Sequence, residues 1–536
     1  MIRLRGETWD KTLYLLLVGV YAVLAIASIF SGITSWDEET DYLGIRTQLA
    51  HAVELIRGHD ANYKDIHSNL EYYGAASLFP AWLFWFIQQG LLIGRLSLSK
   101  ALFDPSAEHQ LTGFFATSHL LLAGEFVFLS WLAVKIARCI GLRRAWIAGC
   151  LVLFHPSLIG HSFINPKDIP FALFYTGYTY TLVKRWSSGR HYYLFLSLLS
   201  AALLINQKFV AVAAIVLSEL LLLVIQRPVL RDLRKSILLP VSALIVALAL
   251  QPASWGLNPF TYLNEAFHTF ANHEWGGCMS YSGTCIGVNH PDWLTFLYIW
   301  NWLTIKVPLL WLILISLQIF VWVYHFKGLA TVLNSPWPLV ISQSALIPIM
   351  AVVRNSNLYD ADRHLLFIYP SLAIVAARGV QTLWDLGLSK RLRSISVSFI
   401  ALLSLILFVD VLSLNPYQSA YLNETSRFSH THITTSLDYW AVSSKELIRN
   451  SQIYGSLSPS PALKQGVWIS PFWIGFRQLD GMALADESLP SPLFQLRDVT
   501  SFISHQSRPC VFDAEVKRSL LFVKPLTMSK LYLCED

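Results

Sequence analysis

The chain has 536 residues, 54% of them hydrophobic and only 14% charged, and its mean hydropathy is +0.47. Soluble proteins carry roughly a quarter charged residues, so this composition excludes an ordinary soluble domain. The net charge of +6 resides in short basic clusters between apolar segments, which removes the case for nucleic-acid binding.

A bilayer-spanning helix needs about 20 apolar residues, and several stretches approach that length. In chain order they are Thr12–Phe30, Thr117–Val134, Ala145–Phe163, Pro170–Val183, Tyr193–Ile205, Val210–Ile225, Ile237–Leu250, Pro308–Tyr324, Pro338–Val353, His364–Ala377 and Ser396–Leu412. The first follows a short basic stretch without a small-residue cleavage site and reads as a retained signal anchor. Basic clusters around Arg3/Lys11, Lys135/Arg144, Lys184/Arg190, Arg227/Lys235 and Lys390/Arg393 fall on alternate connections only if the apolar segment Ala76–Gly94 does not cross. That segment is therefore expected to be re-entrant or interfacial. The fold expected is an all-α polytopic membrane protein with about eleven crossings, cytoplasmic N-terminus and external C-terminus.

This topology divides the chain into a transmembrane module, residues 1–414 with a first external loop over 31–115, and an external α/β domain, residues 415–536. Within the tail, Gly466–Phe472 and Ser519–Val523 read as strands and Tyr439–Arg449 as a helix. Cys278 and Cys285 share an external loop, and Cys510 and Cys534 share the tail, so either pair can form a disulfide in an oxidising compartment. Cys139 and Cys150 lie toward the cytoplasmic edge and are expected free. Asn423-Glu424-Thr425 is a glycosylation sequon that matters only in a host that modifies secreted chains.

Three polar motifs fall on the external side. Asp37–Glu38 follows the first crossing and opens an amphipathic stretch, Tyr42–Arg57, that suits a membrane-surface helix. Asp37 is a candidate general base with Glu38 positioning it or binding acceptor, although acids at a helix start also serve as caps. In Asn165-Pro166-Lys167-Asp168-Ile169-Pro170 the two prolines force a turn, placing Asn165, Lys167 and Asp168 in a polar corner. Arg363 and His364 begin a later crossing, and Lys208 ends another. Arg, Lys and protonated His suit an anionic phosphate, while snorkelling to headgroups is the plain alternative. The loop holding His268, His273, Glu274 and His290 matches no zinc-ligand spacing, so a divalent metal has no support.

A first crossing followed by Asp37–Glu38 and a surface helix resembles the GT-C superfamily of lipid-carrier-dependent glycosyltransferases. The resemblance is strongest to the branch of protein O-mannosyltransferases and the aminoarabinose transferase of lipid A. The Asn165–Phe171 turn, the Arg363-His364-Leu-Leu-Phe-Ile-Tyr369-Pro370 segment, and Asn415-Pro416-Tyr417-Gln418 through Leu437-Asp438-Tyr439-Trp440 carry it. It implies a polyprenyl- or dolichyl-phosphate sugar donor, inverting transfer on the external face, and a bacterial inner membrane. The family's acidic pair maps onto Asp37 and Glu38, and its second-loop acid onto Asp168. The Lys-Pro-Pro segment of the aminoarabinose branch is absent, and Leu70-Glu71-Tyr72-Tyr73-Gly74 stands there instead.

The residues fit that chemistry. A positioned carboxylate can take the proton of an acceptor hydroxyl on a lipid, polysaccharide or protein as the new bond forms. Lys167, Lys208, Arg363 or His364 can stabilise the charge building on the departing phosphate. The rival reading is a polytopic transporter or lipid-linked sugar flippase, whose charges would sit nearer the midplane on broken helices.

Overall fold

The structure is a computed structural model that describes residues 2–450 except 36, 60–69, 95, 104–110, 189, 227–229, 272–278, 282–283, 287–291, 325–331, 428–437, 439, 441, 444–445 and 448–449, together with residues 494–497, 510–522 and 525–534. Helix dominates because an apolar segment without access to water must satisfy its N–H and C=O groups internally. In chain order the helices are α1 (Ile2–Ser31), α2 (Asp37–Ile56), α3 (Ala75–Phe86), α4 (Leu98–Phe103), α5 (Leu111–Cys139), α6 (Trp146–Leu153), α7 (Pro156–His161), α8 (Asp168–Ser188), α9 (His191–Gln207), α10 (Ala211–Gln226) and α11 (Leu230–Ala249). They continue with α12 (Pro259–Ala271), α13 (Asp292–Lys306), α14 (Leu309–Tyr324), α15 (Trp337–Val353), α16 (Tyr369–Asp385) and α17 (Lys390–Leu414).

Each expected crossing is helical to within a residue or two of its ends, except Ala145–Phe163. There His155 takes an extended backbone ahead of Pro156, splitting the segment into α6 and α7. Among the described residues, four helical stretches are long and apolar enough to cross a membrane: Thr8–Ser31, Gly113–Cys139, Arg363–Asp385 and Lys390–Leu414. α13 and α14 meet at 114° across Pro308 and make a fifth if counted as one broken span.

The core is one apolar cluster joining α1, α5, α6, α8, α9, α10, α14, α16 and α17. A second cluster seats α3 on α2 and on the start of α5, with Tyr42 edge-on to Trp85 and Phe114. α3 contains Pro80 and runs into a π-helical turn, Ile87–Leu92, while Phe79, Leu83, Phe84 and Leu92 stay exposed. At 12 residues it spans only about 18 Å. It lies against α2 and the start of α5.

Residues 415–427 are built into the bundle. Asn423 is buried, and its side-chain amide donates to Thr304 O (2.5 Å) and Val307 O (2.8 Å), carbonyls left open by the α13–α14 bend. Two short antiparallel strands, β1 (Met279–Tyr281) and β2 (Thr284–Ile286), precede α13, and strands β3 (Phe494–Arg497), β4 (Cys510–Arg518) and β5 (Leu526–Cys534) form an antiparallel sheet in the order β3-β5-β4. Of Ser519–Val523, expected as a strand, Ser519–Phe522 begins the connection after β4, and Val523 lies outside the described residues. Gly466–Phe472 lies outside the described residues, as do parts of Tyr439–Arg449. Cys510 and Cys534 are register partners in the β4–β5 pair, and Cys139 and Cys150 are free.

Candidate active site

α2 begins at the first acidic motif. The backbone N–H of Ser35 donates to Glu38 Oε2 (2.7 Å), one half of a capping box. Glu38 Oε1 lies 2.5 Å from His119 Nε2 on α5, so this buried carboxylate ties the start of α2 to α5. Asp37 and Asp41, one helical turn apart, share a different face. Both reach Lys167 Nζ, Asp37 Oδ2 at 3.5 Å and Asp41 Oδ1 at 2.7 Å.

Lys167 stands in the proline-bounded turn that enters α8. Asn165 Oδ1 accepts from the backbone N–H of Lys167 (3.2 Å) and of Asp168 (2.9 Å), fixing the turn. The Asn165 amide donates to Asp168 Oδ2 (2.9 Å) and lies 3.0 Å from His161 Nδ1. Gln207, at the end of α9, donates to the carbonyls of Pro166 and Lys167. The next residue, Lys208, pairs with Asp168 Oδ1. Two helix ends are thereby locked together, with Lys167 and Lys208 beside one another.

The third segment is the loop between α15 and α16. Asn355, Asp360 and Ala361 hold φ of 48°, 56° and 59°, left-handed values that Asn and Asp tolerate and that are uncommon for Ala. The loop delivers Arg363, whose guanidinium lies between the rings of Tyr359 and Trp440, each about 5.0 Å from Cζ. Arg363 Nη1 bonds Asp37 Oδ2 (3.1 Å) and Asp360 Oδ2 (3.0 Å), and its Nε is 4.0 Å from Asp168 Oδ2. Trp440 Nε1 donates to Asp360 Oδ2 (3.2 Å). His364 packs edge-on to Tyr359 at 4.7 Å.

Three cations and four carboxylates thus share one polar cluster, and solvent access separates the acids. The side chain of Asp37 is 25% exposed, against 2% for Asp41, 5% for Asp168 and 8% for Asp360. Burial would raise every one of these carboxyls. For Asp37 the charges of Lys167 and Arg363 overcome burial and hold it below the ordinary carboxylate value. Lys208 and Arg363 do the same for Asp168. For Asp360 burial wins against Arg363 and pushes the carboxyl up to about 6.

Of the residues expected from sequence, Asp37, Asn165, Lys167, Asp168, Lys208 and Arg363 converge, and His364 borders them. Glu38 faces His119 instead. Sequence reasoning missed Asp41, Tyr73, Tyr359, Asp360 and Trp440 as members of the cluster. Asp41 carried a signal, being four residues after Asp37 on one helix. Tyr73, whose ring lies 4.8 Å from Lys167 Nζ, carried none. Among the described residues no group of three or more His, Cys, Asp or Glu is placed to hold a metal ion.

No protein-family model matches the sequence, and no curated protein does. Among solved structures, the chain is similar to ArnT from Cupriavidus metallidurans bound to undecaprenyl phosphate. That similarity has 14% sequence identity and a TM-score of 0.44, and covers 75% of this chain and 70% of the other.

Proposed function

We propose that the protein is an integral membrane glycosyltransferase. It moves a sugar from a polyprenyl- or dolichyl-phosphate carrier to an acceptor hydroxyl at the external face, with inversion at the anomeric carbon. The observation that carries this reading is Asp37, the most exposed carboxylate of the cluster, paired with both Lys167 and Arg363. In this reading residues 1–414 form the catalytic module with about eleven crossings, N-terminus inside and residues 415–536 outside, in a bacterial inner membrane.

The acceptor oxygen attacks the anomeric carbon while Asp37 takes its proton. The bond from that carbon to the phosphate oxygen breaks, and its electron pair leaves with the lipid phosphate. Attack opposite the leaving group inverts the centre. Lys167, Lys208 and Arg363 neutralise the charge gathering on the phosphate in a site that excludes most water, where such charges count most. His364 and Asn165 complete the phosphate side, Asn165 by fixing the turn.

Sharing cations between base and leaving group has a consequence. A free Asp37 held ionised by Lys167 and Arg363 is a weak base. When a donor phosphate draws those cations toward itself, Asp37 loses part of their field and becomes a stronger base. Activation of the base therefore waits for donor to bind. Asp168 acts through Lys208 and Arg363, and Glu38 through the anchoring of α2.

The test compares glycolipids, envelope polysaccharide and glycoproteins by mass spectrometry in cells lacking the gene. These cells are then restored with wild type or Asp37→Asn at matched membrane levels. One sugar modification should vanish in the null and return with wild type, while the variant restores it about 10²- to 10⁴-fold more slowly. Full restoration by Asp37→Asn, or transbilayer movement of lipid-linked sugar with no glycosidic bond formed, would overturn the proposal.

A further inference from the structure

Asp41 is not needed as base or as phosphate ligand, yet it sits 2.7 Å from a proposed phosphate-binding cation. Its Oδ1 is taken by Lys167, and its Oδ2 is buried with no hydrogen-bond partner among the described residues. An ionised carboxylate normally fills the acceptor sites of both oxygens when it is buried. A proton on Oδ2 would break no existing bond. Asp360, the other weakly acidic member of the cluster, is different: its Oδ2 is held by both Arg363 and Trp440.

The charge count points the same way. Lys167, Lys208 and Arg363 supply three positive charges, and Asp37, Asp41, Asp168 and Asp360 supply four negative ones. A phosphodiester anion would enter a cluster that already has one excess negative charge, and it would compete with Asp41 for Lys167.

We propose that Asp41 is a positioning residue for donor: ionised, it holds Lys167 within the carboxylate cluster, and by taking one proton from solvent onto Oδ2 it releases the ammonium to the phosphate. Donor binding is thus coupled to proton uptake. This rests on the phosphate-donor reading above. The groups facing Asp41 are Lys167 from the turn before α8 and Asp37 and Glu38 from its own helix, with His119 of α5 behind Glu38 and Tyr73 flanking Lys167 ahead of α3. Burial, opposed by Lys167 and reinforced by Asp37, pushes the Asp41 carboxyl up to about 7. Below that value Asp41 already carries the proton and donor binding takes up none. Above it the proton must be supplied at binding, and affinity falls with rising pH.

The probe is a short-chain polyprenyl methyl phosphodiester, whose single charge does not titrate between about pH 5 and 9. Its binding to the full chain in lipid nanodiscs is measured calorimetrically in buffers of different ionisation enthalpy. Wild type should take up close to one proton per probe at pH 8 and almost none at pH 5.5. Its affinity should weaken by about tenfold per pH unit above the Asp41 titration. Asp41→Asn should abolish both effects and bind at pH 8 as wild type binds at pH 5.5, while Asp360→Asn should retain them. Absence of proton uptake by wild type at pH 8, or its persistence in Asp41→Asn, overturns the role of Asp41 and leaves the donor reading standing. Binding by wild type at no pH, or binding indifferent to Lys167→Met, overturns the donor reading and this inference together.

Discussion

Arg363 occupies a position only arginine can fill. Its guanidinium lies between Tyr359 and Trp440 and aims one nitrogen at Asp37 and Asp360 together. Lysine would keep the charge but lose the planar fork and the stacking. Arg363→Lys should raise the donor KM about ten- to hundredfold, the worth of one or two charge-assisted hydrogen bonds, as transfer kinetics would show. Glu38 sits next to Asp37 in sequence but bonds Ser35 N and His119. Glu38→Gln should lower thermal stability by about 1–3 kcal/mol while donor KM stays near wild type, a split that separates anchoring from contact with substrate. The residues legible in the sequence, Asp37, Lys167, Asp168 and Arg363, are polar groups punctuating long apolar runs, where no packing role competes for them. Asp41 was hidden because a carboxylate inside an amphipathic helix reads as solvated, and Trp440 because aromatic residues are abundant throughout a membrane protein.

Elements follow hydropathy closely in this chain, and two of their breaks fall at proline, although Pro80, Pro240 and Pro348 sit inside α3, α11 and α15. Prolines stand at the split at His155–Pro156 and at the 114° turn at Pro308, yet Ala145–Phe163 reads from hydropathy as one unbroken crossing. What hydropathy could not indicate is the partner that satisfies each break. Asn423, in the sequon, is buried against carbonyls opened by the bend, and Glu424 Oε2 accepts from Leu309 N (3.0 Å) on its other side. Residues 415–427 therefore act as a wedge. Their fit depends on Gly160 of α7, where an added Cβ would clash with the backbone nitrogen of Ser419. Gly160→Ala should destabilise the protein by about 1–3 kcal/mol or more, the usual cost of overpacking, read as a lower unfolding temperature in detergent. Gly124, in the interior of α5, has nothing within 4 Å of the same added methyl. Gly124→Ala should instead raise stability by about 0.5–1 kcal/mol through helix propensity.

For the molecule as a whole, the site exists only because α2, the α7–α8 turn, the end of α9 and the α15–α16 loop end at one edge of the bundle, and sequence separation of more than 300 residues hides that meeting. The tail meets the same bundle at a buried pair, Asp410 of α17 and Arg427 after the wedge, whose side chains are 0% and 2% exposed. Arg427 also donates to Leu422 O (3.0 Å) and Leu521 O (3.2 Å), and Asp410 Oδ1 accepts from Leu521 N (3.0 Å), so the β4–β5 connection docks on this ion pair. A buried pair of this kind fixes geometry more than it stabilises, because desolvating both charges offsets most of their attraction. Removing one partner is another matter, since the survivor remains buried without compensation. Arg427→Met should cost about 3–5 kcal/mol and loosen the tail, detectable as faster proteolysis between β4 and β5. Asp410→Leu combined with Arg427→Met should recover most of that stability, because no charge is left unpaired. If the double variant is instead as unstable as the single one, the backbone bonds to Leu422 and Leu521 hold the tail, and the charges contribute little beyond them.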